Sequence, residues 1–105
     1  MLRHINEKEF EKEVIQNKGI VLVDFFATWC PPCKMLSPVL EEISESRGPY
    51  EIVKINIDEN LNVSSEYNIE VVPTMLVFKN GKVIDKAVGY MPKDEIVNML
   101  NKHID

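Results

Sequence analysis

The chain has 105 residues, 45% hydrophobic and 28% charged, a globular composition with room for one core and one domain over residues 1–105. Its 12 Lys plus Arg stand against 17 Asp plus Glu, a formal charge of −5, so it offers no basic field for nucleic acid. The longest apolar stretch, Ile20 to Val23 resuming at Phe25 to Ala27, falls far short of a membrane span, and the mixed-charge opening residues lack the apolar centre of a secretory signal, which points to a cytoplasmic protein.

Asn6, with Glu9 three residues on, reads as a helix N-cap and its reciprocal carboxylate, and Phe10, Val14 and Ile15 supply an apolar stripe for a helix from Glu7 to Gln16. Gly19 ends that segment. Ile20 to Phe26 reads as a strand apolar on both faces, the pattern of a sheet covered by helices on each side, and Asp24 is its one anomaly. Met35, Leu36, Val39, Leu40 and Ile43 recur at helical spacing, predicting an amphipathic helix from Cys33 to Ser46 with Pro38 kinking it near the second turn. Gly48-Pro49 closes it, and Ile52 to Ile57 is a second buried strand, making a parallel, right-handed βαβ unit. A short helix over Leu61 to Tyr67 is introduced by Asn60. Thr74 to Lys79 and Lys82 to Val88 are strands joined by Asn80-Gly81, the pair suited to a tight hairpin turn. Pro92 fits the first turn of a last helix carrying Ile96, Met99, Leu100 and Ile104, with Lys102 and His103 near the negative end of its dipole. A short extra strand fits Leu2 to His4.

Only two cysteines occur, in the run Trp29-Cys30-Pro31-Pro32-Cys33-Lys34. As a staple, a bridge over so short a loop contributes about 2 kcal/mol, which makes a purely structural disulfide a poor explanation. Zinc needs four ligands, yet the only histidines, His4 and His103, lie near the chain ends. Haem attachment needs a His where Lys34 stands, and iron–sulfur clusters need more thiolates. A pair of inert core cysteines remains as the plain alternative, although two prolines and a Trp crowded round a helix start argue against burying both. Two thiols so spaced at a helix start close a disulfide with little backbone movement, and the helix N-terminus favours a thiolate on the first. Cys30 is then the nucleophile and Cys33, one turn inward, the thiol that resolves the mixed disulfide.

That run, with Val23-Asp24-Phe25 before it and Val72-Pro73-Thr74 and Gly89 after it, resembles the thioredoxin family over essentially the whole chain. The resemblance implies an α/β thioredoxin fold, a central mixed four- to five-stranded sheet flanked by helices on both faces. It implies a thiol–disulfide oxidoreductase, a general protein-disulfide reductase and electron carrier that needs no cofactor or metal. Its partners would be a thioredoxin reductase, flavoprotein or ferredoxin-linked, and disulfide-containing protein substrates, with no membrane and a monomeric state. By the same resemblance Asp24 exchanges a proton with Cys33, and Lys54 lies near that carboxyl. An edge position in water for Asp24, and a solvated strand-end lysine for Lys54, are the alternatives. The Val72–Pro73 bond is implied to be cis, with the Val72 backbone pairing with substrate as an added strand and Thr74 adjoining it. Trp29 would cover the contact surface beside the dithiol, unless it is an ordinary core aromatic. Gly89 would be a position of close backbone approach or a plain turn glycine.

The chain departs from the family at the spacer, where Gly-Pro is usual and Pro31-Pro32 stands here. Both spacer N–H groups are missing, and the second proline disfavours α geometry at the first, so the regular helix is expected at or after Pro32. Val71 is bulkier than the small residue common there, which narrows the groove. Pro-Pro spacers also occur in tryparedoxin-like proteins, so a dedicated dithiol donor to one partner is the alternative enzyme, and a thioredoxin-fold binding module with idle thiols the alternative of another class.

Overall fold

The structure is a computed structural model that describes residues 2–104. Helix α1 (Glu7–Phe10) opens as its sequence dictates: Asn6 Oδ1 accepts from the Glu9 N–H while Glu9 Oε1 accepts from the Asn6 N–H, at 3.0 and 2.9 Å. It does not run on as an α-helix. From Glu11 to Ile15 it widens into a π turn, in which the Gln16 N–H reaches Glu11 O. Phe10, Val14 and Ile15 all pack in one core across this segment, so tertiary packing outweighs the local preference for an unbroken α-helix.

One five-stranded sheet runs in the order β1-β3-β2-β4-β5, from β1 (Arg3–His4), β2 (Ile20–Phe26), β3 (Tyr50–Asn56), β4 (Thr74–Lys79) and β5 (Lys82–Val88). β3 is parallel to β1 and β2, while β4 is antiparallel to β2 and β5. Every residue of the central strand β2 is buried, as a run apolar on both faces requires. Its side chains alternate: Val21, Val23 and Phe25 join Phe10, Val14 and Phe78 in one core, and Ile20 and Leu22 join Leu36, Leu40, Ile96 and Leu100 in the other. Asp24 and Phe26, in step with Leu22, therefore face the second core. The helices of that face are α2 (Pro31–Glu45) and α4 (Lys93–Asn101), while α3 (Leu61–Glu66) sends Val63 to the first.

α2 begins at Pro31 rather than at or after Pro32, with Cys30 as its N-cap. The first-turn N–H groups of a helix have no partner inside it, so two prolines there forfeit nothing. The helix also continues through Pro38 to Glu45, giving up only the bond that an N–H at that position would make to the Lys34 carbonyl. Asn60 holds the N-cap position of α3 without capping it. Its Oδ1 accepts from the Glu7 N–H and its Nδ2 donates to Asn56 O, at 2.8 and 2.9 Å. The cap comes from α1 instead, where Glu7 Oε1 accepts from the backbone N–H groups of Asn62 and Val63. At the hairpin Asn80 and Gly81 have φ of 53° and 76°. A Cβ on Gly81 would stand 2.3 Å from Ile15 O, so conformation and space both demand glycine. Pro92 is the N-cap of α4, one residue before the first turn. Lys102 and His103 turn to Asp85 of β5, at 3.8 and 2.8 Å.

Candidate active site

Cys30 leaves β2's exit loop in an extended conformation, and as N-cap of α2 its Sγ accepts from the Cys33 N–H at 3.2 Å. With both spacer N–H groups absent, the Cys33 N–H is a donor that the sulfur retains. Cys30 and Cys33 are joined by a disulfide, their Cα atoms 5.3 Å apart. Both residues are almost wholly covered, 3% and 2% exposed, contrary to the expectation that crowding at the helix start would leave one open. Phe26, Ala27, Ile57 and Val72 pack round them, and Cys30 Sγ lies 3.6 Å from Val72 O. Their mutual bond, not their exposure, separates them from inert core thiols.

The loop facing the disulfide carries a cis Val72–Pro73 bond. Pro73 O accepts from the Gly89 N–H at 2.8 Å, which ties the loop to the end of β5. Gly89 has φ of 90° and nothing within 4 Å of where a Cβ would stand, so its backbone conformation is what requires glycine. Thr74 is buried, and its hydroxyl donates to Val71 O, so its side chain secures the loop instead of facing outward. Val71 is 56% exposed. Trp29 is 65% exposed and donates from Nε1 to Asp58 Oδ2 at 2.8 Å, so it is no core aromatic. Pro31 and Pro32 are exposed beside it.

Under α2 lies the anomaly of the central strand. Asp24 is fully buried, and neither carboxyl oxygen has a hydrogen-bond partner among the described residues. Burial pushes its pKa up to about 7 against the opposing pull of the Lys54 ammonium. Lys54 is its register partner in β3 and is 5% exposed, so neither is a solvated edge residue. Burial lowers the Lys54 pKa, and the Asp24 charge opposes that. Its Nζ donates to Ser37 Oγ at 2.9 Å and stands 4.3 Å from the centroid of the Phe26 ring. A cavity of about 350 Å³ brings Lys54, Ser37 and Phe26 together with Cys33 and Lys34. Ser37 carried no motif of its own in the sequence, although its place one helical turn after Cys33 puts both on one face of α2. Phe26 and Asp58 carried no sequence signal for these contacts, which depend on how strand and loop meet.

Among the described residues no group of His, Cys, Asp and Glu could hold a metal ion, and no helix is long and apolar enough to cross a membrane. The sequence model of the family described as Thioredoxin matches residues 1–102. The chain is 45% identical to a thioredoxin of Rickettsia felis over 105 residues, 99% of this chain and 100% of that one. It is 43% identical to a thioredoxin of Listeria monocytogenes over the same shares, and 42% identical to one of Staphylococcus aureus over 101 residues, 95% of each chain.

Proposed function

Because the chain belongs to the thioredoxin family and is a thiol–disulfide oxidoreductase, a protein-disulfide reductase, we propose that Cys30 attacks, Cys33 resolves and Asp24 carries the proton between cycles. The observation that supports this division of labour is a disulfide across the first turn of α2, above a buried carboxyl on the sheet face that α2 covers. In the reduced protein the Cys30 thiolate, held by the Cys33 N–H and the helix start, attacks one sulfur of a substrate disulfide. A Cys30–substrate bond forms, and the other substrate sulfur leaves as a thiolate. Cys33 then passes its proton to Asp24 and attacks Cys30, which closes the internal disulfide and expels the second substrate sulfur. Two electrons have moved from the dithiol to the substrate, and a reductase must return them.

A carboxyl that titrates near 7 suits this duty, since it takes a proton at neutral pH and releases it again. We take Trp29, Pro31, Pro32, Val71 and the Val72 carbonyl as the substrate surface beside the disulfide, where an extended substrate chain would pair with the Val72 backbone like an added strand, with Pro73 and Gly89 holding the loop. Thr74 supports that loop from within. We further assign the chain to a single domain over 1–105, of which Met1 and Asp105 lie outside the described residues, working as a cytoplasmic monomer served by a flavoprotein or ferredoxin-linked thioredoxin reductase.

Insulin reduction by dithiothreitol tests the reading. The protein should accelerate it, Cys30→Ser should abolish the acceleration, and Cys33→Ser should accumulate a covalent mixed disulfide on Cys30. No acceleration over dithiothreitol alone, or a substrate adduct on residue 33 in Cys30→Ser, overturns it.

A further inference from the structure

Three ionisable side chains stand in one row across the sheet. His4 of β1 is the register partner of Lys54 in β3, and Lys54 is the register partner of Asp24 in β2. Register partners on neighbouring strands project from the same face, about 4.8 Å apart. An imidazole at the sheet edge, a buried ammonium and a buried carboxyl therefore follow one another inward. Phe26, two residues beyond Asp24 and on its face, fastens the row. Lys54 Nζ lies 4.3 Å from its ring centroid, and the His4 ring meets it in a T-shaped contact with centroids 5.4 Å apart.

Phe26 also lines two cavities. The first, of about 350 Å³, contains Cys33, Ser37 and Lys54. The second, of about 440 Å³, contains His4 with Glu9, Asn56, Glu59 and Asn60. His4 is exposed and open to proton exchange with water, whereas Asp24 is wholly buried. We propose that His4 is a positioning residue for Asp24, its charge acting past Lys54 and Phe26 to set how strongly that carboxyl holds its proton.

Lys54 from β3 is the imidazole's register partner, Glu9 from α1 and Glu59 from the loop after β3 line the same cavity as the ring, and its neighbour Arg3 is paired with Glu13. Burial and the Lys54 ammonium hold the His4 pKa below its ordinary value. Coupling between titrating sites is reciprocal. An imidazolium therefore favours the ionised Asp24 carboxylate, and a neutral imidazole leaves Asp24 the stronger base. As pH rises through the imidazole range, Asp24 gains the proton affinity that accepting a proton from Cys33 calls for. The role in turnover rests on Asp24 being that acceptor; the coupling does not.

The test follows both groups by NMR in the oxidised full chain, reading the His4 ring protons and the Asp24 side-chain carboxyl carbon. His4→Arg, a fixed cation, should lower the Asp24 midpoint by about 0.3 pH unit relative to His4→Gln, the change expected from a unit charge about 10 Å away in a largely aqueous surround. Lys54→Met should raise the His4 midpoint by more, since the two are direct register partners. A merely structural role for the ring would move the Arg and Gln variants alike. Equal Asp24 midpoints in those two exposed-site variants overturn the proposal even if Lys54→Met does not fold. Measured beside them, Asp24→Asn separates the two readings: unchanged substrate release with midpoints that still move removes the acceptor role and upholds the coupling.

Discussion

Asp24 concentrates the chemistry of this molecule because its surroundings offer it so little. It is buried without a hydrogen-bond partner among the described residues, beside an ammonium that is itself bonded to Ser37. The combination holds the carboxyl near the middle of its titration at neutral pH, where a group both accepts and donates protons readily. Asp24→Asn should slow release of substrate from the mixed disulfide by about 10²-fold near neutral pH, as loss of a positioned general base does. Stopped-flow measurement of that step between about pH 6 and 9 checks it, and a rate profile equal to that of the parent protein would sink the proton-transfer role. Trp29 shows the opposite situation, an aromatic left in water but fixed at its polar tip by Asp58. Its fluorescence should respond to reduction of the neighbouring disulfide, and an unchanged spectrum would argue against its place beside the dithiol.

At the scale of elements, ends and joints decide more than interiors. The N-terminus of α3 is capped by Glu7, more than fifty residues away along the chain. Removing that carboxylate in Glu7→Ala should cost about 1–2 kcal/mol in urea unfolding, because two first-turn N–H groups lose their acceptor. Asn60→Ala tests a different junction, since its side chain accepts from the first N–H of α1 and donates to Asn56 O instead of capping α3. Gly81→Ala should cost about 2–4 kcal/mol, through a left-handed backbone and a Cβ driven at the Ile15 carbonyl oxygen. A loss below about 0.5 kcal/mol would mean that the turn relaxes away from the π segment. The spacer prolines belong to this scale as well. They occupy the two positions of α2 where a missing N–H is harmless to the helix, yet the same absence leaves the Cys33 N–H as the donor holding Cys30 Sγ. Pro31→Gly, poised against glutathione, measures how donor loss and loop stiffness balance.

Across the whole molecule, the burial of Asp24 makes stability depend on pH. Its folded-state pKa of about 7 lies above the ordinary 3.8, so between those values the native state binds the proton that the unfolded chain has released. Stability from this group is greatest below about pH 4, falls as pH rises, and levels off above about pH 7. Asp24→Asn should match the parent in acid and exceed it by about 4 kcal/mol above neutrality, where the folded carboxyl has ionised and the full cost of burying its charge is felt. A difference independent of pH over that range would show that Asp24 titrates normally. The charged row was only half legible in advance. Asp24 stood out because a carboxylate interrupts seven otherwise apolar strand residues, and Cys30 and Cys33 because their spacing at a helix start has few chemical uses. Element order, the hairpin and the first capping box were likewise written in local pattern: period, turn residues and caps act between residues a few positions apart. What the tertiary structure decided is every relation carried by pairing across the sheet or packing between layers. It opened α1 into a π turn, gave the α3 cap to Glu7, covered both cysteines, and aligned His4, Lys54 and Asp24. Strand register joins residues far apart in the chain, and no local periodicity specifies which strand lies beside which.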